Sequence, residues 1–260
     1  MAATREDWQK RLGPLYGGAV ALVHSTPWRW PLELGDDARS PLWIVLLGIP
    51  VGLAAWVVAA IAHGAGLPPS LSAVLGLAAL CMASAGLVER GLAECVDRWV
   101  RASSSTSASG TYASSAAAPG MISIPAALVL AFSVVVRAVA VLSVSPEHWM
   151  WLFIATAVLG RWAAVFLQAL GDPIQHDTHS RSFVGVPAPA WLVAAISGGA
   201  LALAVLALGK IGVVAMALAA ICVFGLGIFT QRKDGGLAPA VVAAAAAIGE
   251  LFVLLVATMH

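Results

Sequence analysis

Long stretches of this chain carry no side chain that needs water. No Asp, Glu, Lys or Arg occurs from 42 to 63, nor from 237 to 249. A helix needs about 20 consecutive apolar residues to cross the hydrocarbon core of a bilayer. Seven runs meet that length, at 42–63, 70–92, 121–144, 149–170, 188–208, 211–230 and 237–258. The runs are continuous rather than alternating, and in lipid only helices or closed barrels satisfy every backbone group. The expected fold class is therefore all-α, a polytopic transmembrane helix bundle of about seven spans. The composition agrees, with 10% charged residues against about 25% in an average soluble domain.

Residues 1–41 read as a cytoplasmic or interfacial N-terminal segment. MAATREDWQKRLGPLYGG is charged and amphiphilic, and the apolar stretch at 14–23 is too short to span. No cleavable signal peptide is apparent. Residues 42–260 read as a single transmembrane helical domain. A Ser/Ala-rich cytoplasmic loop at 102–120, ASSSTSASGTYASSAAAPG, divides it between the second and third spans. No convincing internal repeat is present, which argues against a transporter built from two halves.

Arginine and lysine set the orientation. Eleven of those outside the spans or at their ends fall on one side: Arg5, Lys10, Arg11, Arg29, Arg39, Arg90, Arg98, Arg101, Arg181, Arg232 and Lys233. Only Lys210 falls on the other, so the N-terminus is expected in the cytoplasm. A net charge of +1 with no basic stripe excludes a nucleic-acid partner; the partner required is the lipid bilayer. Cys81, Cys95 and Cys222 lie far apart in apolar segments and read as packing thiols rather than a disulfide or zinc framework.

The stretch GLVERGLAECVDRW, residues 86–99, breaks the pattern with Glu89, Arg90, Glu94, Asp97 and Arg98. Arg90, Glu94, Asp97 and Arg101 follow i, i+4, i+7 and i+11, and at about 100° per residue they form one narrow helical stripe. That stripe has two readings. Arg90–Glu94 and Asp97–Arg101 neutralise each other at a helix end, or Glu94 and Asp97 together face a divalent cation. Magnesium shared with a diphosphate takes only one or two protein carboxylates, so spacing does not choose between them.

Three charges fall well inside spans rather than at their ends: Arg137, Arg161 and Glu250. Each costs about 2.5–3.5 kcal/mol at the bilayer centre on insertion scales. They read as a structural ion pair of Glu250 with one arginine or an Arg137 that reaches toward the interface, as the inner wall of a pocket for an anionic substrate, or as both. The loop GDPIQHDTHSRS, 171–182, brings Asp172, His176, Asp177 and His179 together in sequence. Such loops are more often solvated or phosphate-facing than metallated, and this spacing matches no firm metal template.

The order of these features resembles the bacterial adenosylcobinamide-GDP ribazoletransferases, or cobalamin synthases. ALVHSTPWRWP (21–31) and LLGIPVGLAAW (46–56) resemble that family's F-x-T-R-x-P and P-x-x-G-x-x-x-G segments. Val88 to Arg98 is similar to its signature H-x-D-G-L-A-D-x-x-D-G. Gly91, Leu92, Ala93 and Asp97 are kept, Glu94 replaces an Asp, and Val88 and Arg90 stand for the His and the first Asp. Arg137 and Arg161 resemble a lysine in the family's third span and an arginine early in its fourth. QRKDGGLAPAVVAAAAAIGELFVLL resembles its last segment, with Arg232, Gly235, Gly236 and Glu250 retained. Ala238-Pro239-Ala240 replaces a T-G-D, and Ala247 replaces one of two glutamates.

The resemblance implies a transferase that joins adenosylcobinamide-GDP to α-ribazole or its phosphate and releases GMP. Its setting would be the bacterial inner membrane. On this chain it implies Mg²⁺ held by the catalytic carboxylates Glu94 and Asp97, and a phosphate clamp from Arg90, Arg98 or Arg101. Arg137, Arg161, Arg232 and Glu250 would complete the substrate-binding set. The competing classes are a corrinoid-binding paralogue that does no chemistry and a small-molecule permease. Oligomeric state is left open, an oligomer included.

Overall fold

The computed structural model describes residues 5–26, 37, 39–105, 122–172, 174 and 188–259, with the side chains at 5–7 and 101–105 outside that description. Among these residues the chain is helical, with no strand. Two short helices, α1 (Arg5–Leu12) and α2 (Tyr16–Ser25), precede the apolar part. Gly17 and Gly18 allow α2 to rest on the indole of Trp43, so this segment packs against the start of the bundle.

Six helical stretches are long and apolar enough to cross a membrane. The first joins α3 (Ser40–Leu46) to α4 (Gly48–Gly64). The others are α7 (Ile124–Leu142), α8 (Trp149–Leu170) with the turn before it, α9 (Ala190–Leu208), α10 (Lys210–Asp234) and α11 (Pro239–Ala257). The turn between α9 and α10 falls at Gly209, as the sequence suggests. The next comes later than expected, because α10 runs on to Asp234 before Gly235 takes a left-handed φ of 73°.

The span expected at 70–92 is not one helix. It divides into α5 (Pro69–Ala83) and α6 (Leu87–Ser105), bent by 73°. At the break Ala85 has φ 55° and Gly86 φ 62°, two successive left-handed residues that no α-helix can carry. The Gly86 N–H donates to the Cys81 carbonyl and closes α5, and the Arg90 N–H donates to the Gly86 carbonyl and opens α6. Glu89 in the first turn of α6 suits the positive end of the helix dipole. The charged block is thus a helix of its own, the second half of a bent pair rather than the tail of one straight span. That helix also takes in the first residues of the Ser/Ala-rich loop; the remainder, from 106, lies outside the described residues, as do His176, Asp177 and His179.

The broken pair still crosses the bundle from end to end. The His63 and Trp149 rings meet edge to face at 5.8 Å, so α4 ends, and α5 begins, beside the start of α8. At the far end of α6 the Ser123 N–H donates to Asp97 Oδ1 (3.1 Å), and Arg98 Nε lies 3.6 Å from Asp234 Oδ2. These contacts bring the end of α6 to the start of α7 and the end of α10.

Two helices are wrapped by the rest. The apolar windows of α8 and α11 are 83% and 72% buried, against 28% for α7 and α10. Phe132, Leu206 and Ile221 point outward from α7, α9 and α10, which suits contact with lipid. Close approach to α8 depends on glycine: a Cβ on Gly48 would lie 2.7 Å from Val158 Cα. Small residues that let backbones touch are the usual means of packing helices in membranes.

Candidate functional site

The site has an outer rim and a buried floor, both built around α6. On the rim, Arg90 Nε meets Glu94 Oε1 at 2.6 Å, with the two side chains 75% and 41% exposed. The first half of the stripe is thus self-paired in a place water reaches. Asp97 is buried and accepts from the Ser123 backbone. Arg98 is engaged with Asp234. Arg101 lies on α6, with its side chain outside the described set. Arg232 is exposed and lines a shallow hollow of about 400 Å³ with Phe229 and Lys233.

The floor contains the three charges expected within spans, together with one acid that the sequence reading did not single out. Arg137 Nη1 lies 2.8 Å from Glu89 Oε1 and 3.0 Å from Glu250 Oε2. Arg161 donates from Nη1 to the Ala157 carbonyl (3.0 Å) and from Nη2 to Ser84 Oγ (3.1 Å). Cys81 Sγ donates to Glu89 Oε1 at 3.3 Å. Two guanidiniums and two carboxylates make a set neutral in sum, which is how charges persist in a bundle core. The ion-pair reading of Glu250 with Arg137 is realised directly. Four atoms of the set make no hydrogen bond to protein: Glu89 Oε2, Arg137 Nε, Arg137 Nη2 and Arg161 Nε.

Glycines make the floor possible. A Cβ on Gly160 would come 2.6 Å from Glu250 Cγ. Gly91 on α6 rests on α11, where a side chain would overlap Ala243. The signal for Glu89 was present in sequence: a buried arginine in the third span requires an acid, and Glu89 lies outside the stripe of its neighbours.

Glu94 and Asp97 are three residues apart on one helix and offer hard oxygen donors, which fits Mg²⁺ in kind and number. No group of three or more His, Cys, Asp or Glu converges among the described residues, so protein ligation at the stripe rests on these two. A cavity of about 510 Å³ lies at the other end of the bundle, lined by Ser143, Ser145, His148, Trp151, Leu206 and Gly209. None of the expected site residues lines it.

Apolar helices of spanning length around a neutral buried charge set, with a charged helix at one end, define a multi-pass membrane protein. A family model described as cobalamin-5-phosphate synthase matches residues 19–258, and the chain belongs to that family. The family is enzymatic and acts in the final assembly of cobalamin. No curated protein and no solved structure matches the chain.

Proposed function

We propose that this protein joins adenosylcobinamide-GDP to α-ribazole or its phosphate and releases GMP. The observation that carries the reading is the family match over 19–258, which takes in the α6 stripe and both ends of the buried floor. In this reaction a ribose hydroxyl of the ribazole displaces GMP at the phosphorus attached to the corrinoid arm. The O–P bond to the ribazole forms as the bridging P–O bond breaks, and the hydroxyl proton passes to a base.

Glu94 and Asp97 are the residues that would hold Mg²⁺, and a bound Mg²⁺ neutralises charge on the diphosphate. Arg90, Arg98 and Arg232 present positive charge to the phosphates from the rim, and Arg101 joins them by its place in the sequence of α6. Arg137, Arg161 and Glu250 bound the substrate region from below, their charges balanced with Glu89. The active face is cytoplasmic and the membrane is the bacterial inner membrane. An apolar bundle suits a large corrinoid held at the bilayer surface.

One observation favours a second reading. Arg90 occupies a position where the family has an acid, and it pairs with Glu94 at 2.6 Å; a positive charge there competes with a metal ion. A corrinoid-binding protein without transferase activity is the corresponding alternative.

Purified protein in liposomes separates the two. The transferase reading expects Mg²⁺-dependent GMP release from adenosylcobinamide-GDP and α-ribazole, lost in Glu94→Gln and Asp97→Asn with the fold intact. Corrinoid binding without GMP release selects the alternative, and no corrinoid binding removes both.

A further inference from the structure

The break between α5 and α6 lies where the buried charges meet. Glu89 Oε1 accepts from Cys81 Sγ on α5 and from Arg137 Nη1 on α7, while belonging itself to α6. Arg137 continues to Glu250 on α11. Ser84, the last residue before the left-handed pair, receives Arg161 from α8. Five helices are thus tied to the one point where the chain changes direction by 73°.

The bend needs such an anchor. Ala85 sits at φ 55°, a conformation a residue with a Cβ keeps only when its surroundings impose it. The two helices touch each other little across the bend, so the angle is set by what each packs against. Glu94 follows Glu89 by five residues, about 140° further round the helix. One acid therefore faces the floor while the other faces the rim. Near its far end α6 is tied again, by Asp97 to the Ser123 N–H and by Arg98 to Asp234.

We propose that Glu89 and Ser84, gripped by Arg137 and Arg161, form a clamp that locks the α5–α6 bend and so fixes Glu94 and Asp97 in position. Glu89 is a positioning residue: it acts on the stripe through the helix that carries both. The bare donors on Arg137 and Arg161 make the clamp cooperative, since loss of an acid leaves buried cations with still fewer partners. The link from clamp to magnesium rests on the transferase reading; the link from clamp to helix does not.

The test uses the full chain in lipid nanodiscs, with amide hydrogen exchange and GMP release measured side by side. Glu89→Gln is expected to speed exchange across Leu87–Val100 about tenfold while α8 and α11 stay as in wild type. It raises the Mg²⁺ needed for half-maximal GMP release about tenfold or more, with KM for the corrinoid nucleotide within about twofold. Glu89→Asp, which keeps the charge, recovers most of the α6 protection. Unchanged exchange in α6, or an equal rise through all helices, overturns the clamp. Should Glu89→Gln fail to accumulate, Ser84→Ala removes a single hydroxyl and carries the same exchange test. If wild-type protein releases no GMP, the transferase reading fails, and the exchange data still decide the clamp.

Discussion

Gly160 lies beneath Glu250 so closely that a Cβ on the glycine would come 2.6 Å from Glu250 Cγ. The space of one hydrogen atom on α8 is what lets a carboxylate on α11 reach Arg137. Gly160→Ala is expected to displace Glu250 from the arginine at an overpacking cost of about 1–3 kcal/mol. Thermal unfolding in detergent reads this directly; an unshifted midpoint would show that the carboxylate has another place to go.

Arg137→Met leaves Glu250 buried and Glu89 half-buried without their shared cation. Breaking a buried pair by removing one partner costs about 3–5 kcal/mol, so the midpoint should fall further than for Gly160→Ala. Adding Glu250→Gln to Arg137→Met should return part of the loss, because one of the stranded charges is gone. A double variant no more stable than the single would count against the pairing.

Arg90→Ala tests the rim. An exposed pair such as Arg90–Glu94 contributes about 0–1 kcal/mol, so stability should hardly change. On the transferase reading, removing the competing cation from Glu94 lowers the Mg²⁺ concentration needed for GMP release. A magnesium titration beside a melting curve separates the two effects, and a higher Mg²⁺ requirement would mean that Arg90 assists the site.

Orientation can be read with single cysteines at Lys210 and Arg232, scored above the native thiols. A membrane-impermeant thiol reagent added to intact cells is expected to label position 210 and to spare 232. The reverse pattern would invert the bundle and move the stripe to the outer face.

Much of this architecture was legible in sequence because lipid imposes a simple rule. A run without charge, such as 42–63, has few places to go other than the bilayer, and the observed helix covers it. The α5–α6 break was hidden for the same reason: Ser84, Ala85 and Gly86 are small and uncharged, so they leave no gap in the apolar run. The pairing of Arg137 with Glu250 was one of the readings open from the start. Glu89 was missed because its partner is 48 residues away, although its place outside the stripe of Arg90, Glu94, Asp97 and Arg101 sets it apart from the acids there.

The position of α11 has a consequence for how the chain is made. Of the described helices it is synthesised last, yet it packs along α8 and brings the carboxylate that Arg137 meets. Until it arrives, Arg161 and Arg137 enter the membrane with their charges incompletely answered, each costing about 2.5–3.5 kcal/mol at mid-bilayer. The charge balance of the core is thus incomplete until α11 enters. A ribosome that stalls before Pro239 leaves Arg137 and Arg161 without the Glu250 carboxylate, so the core of the nascent chain carries an excess of positive charge.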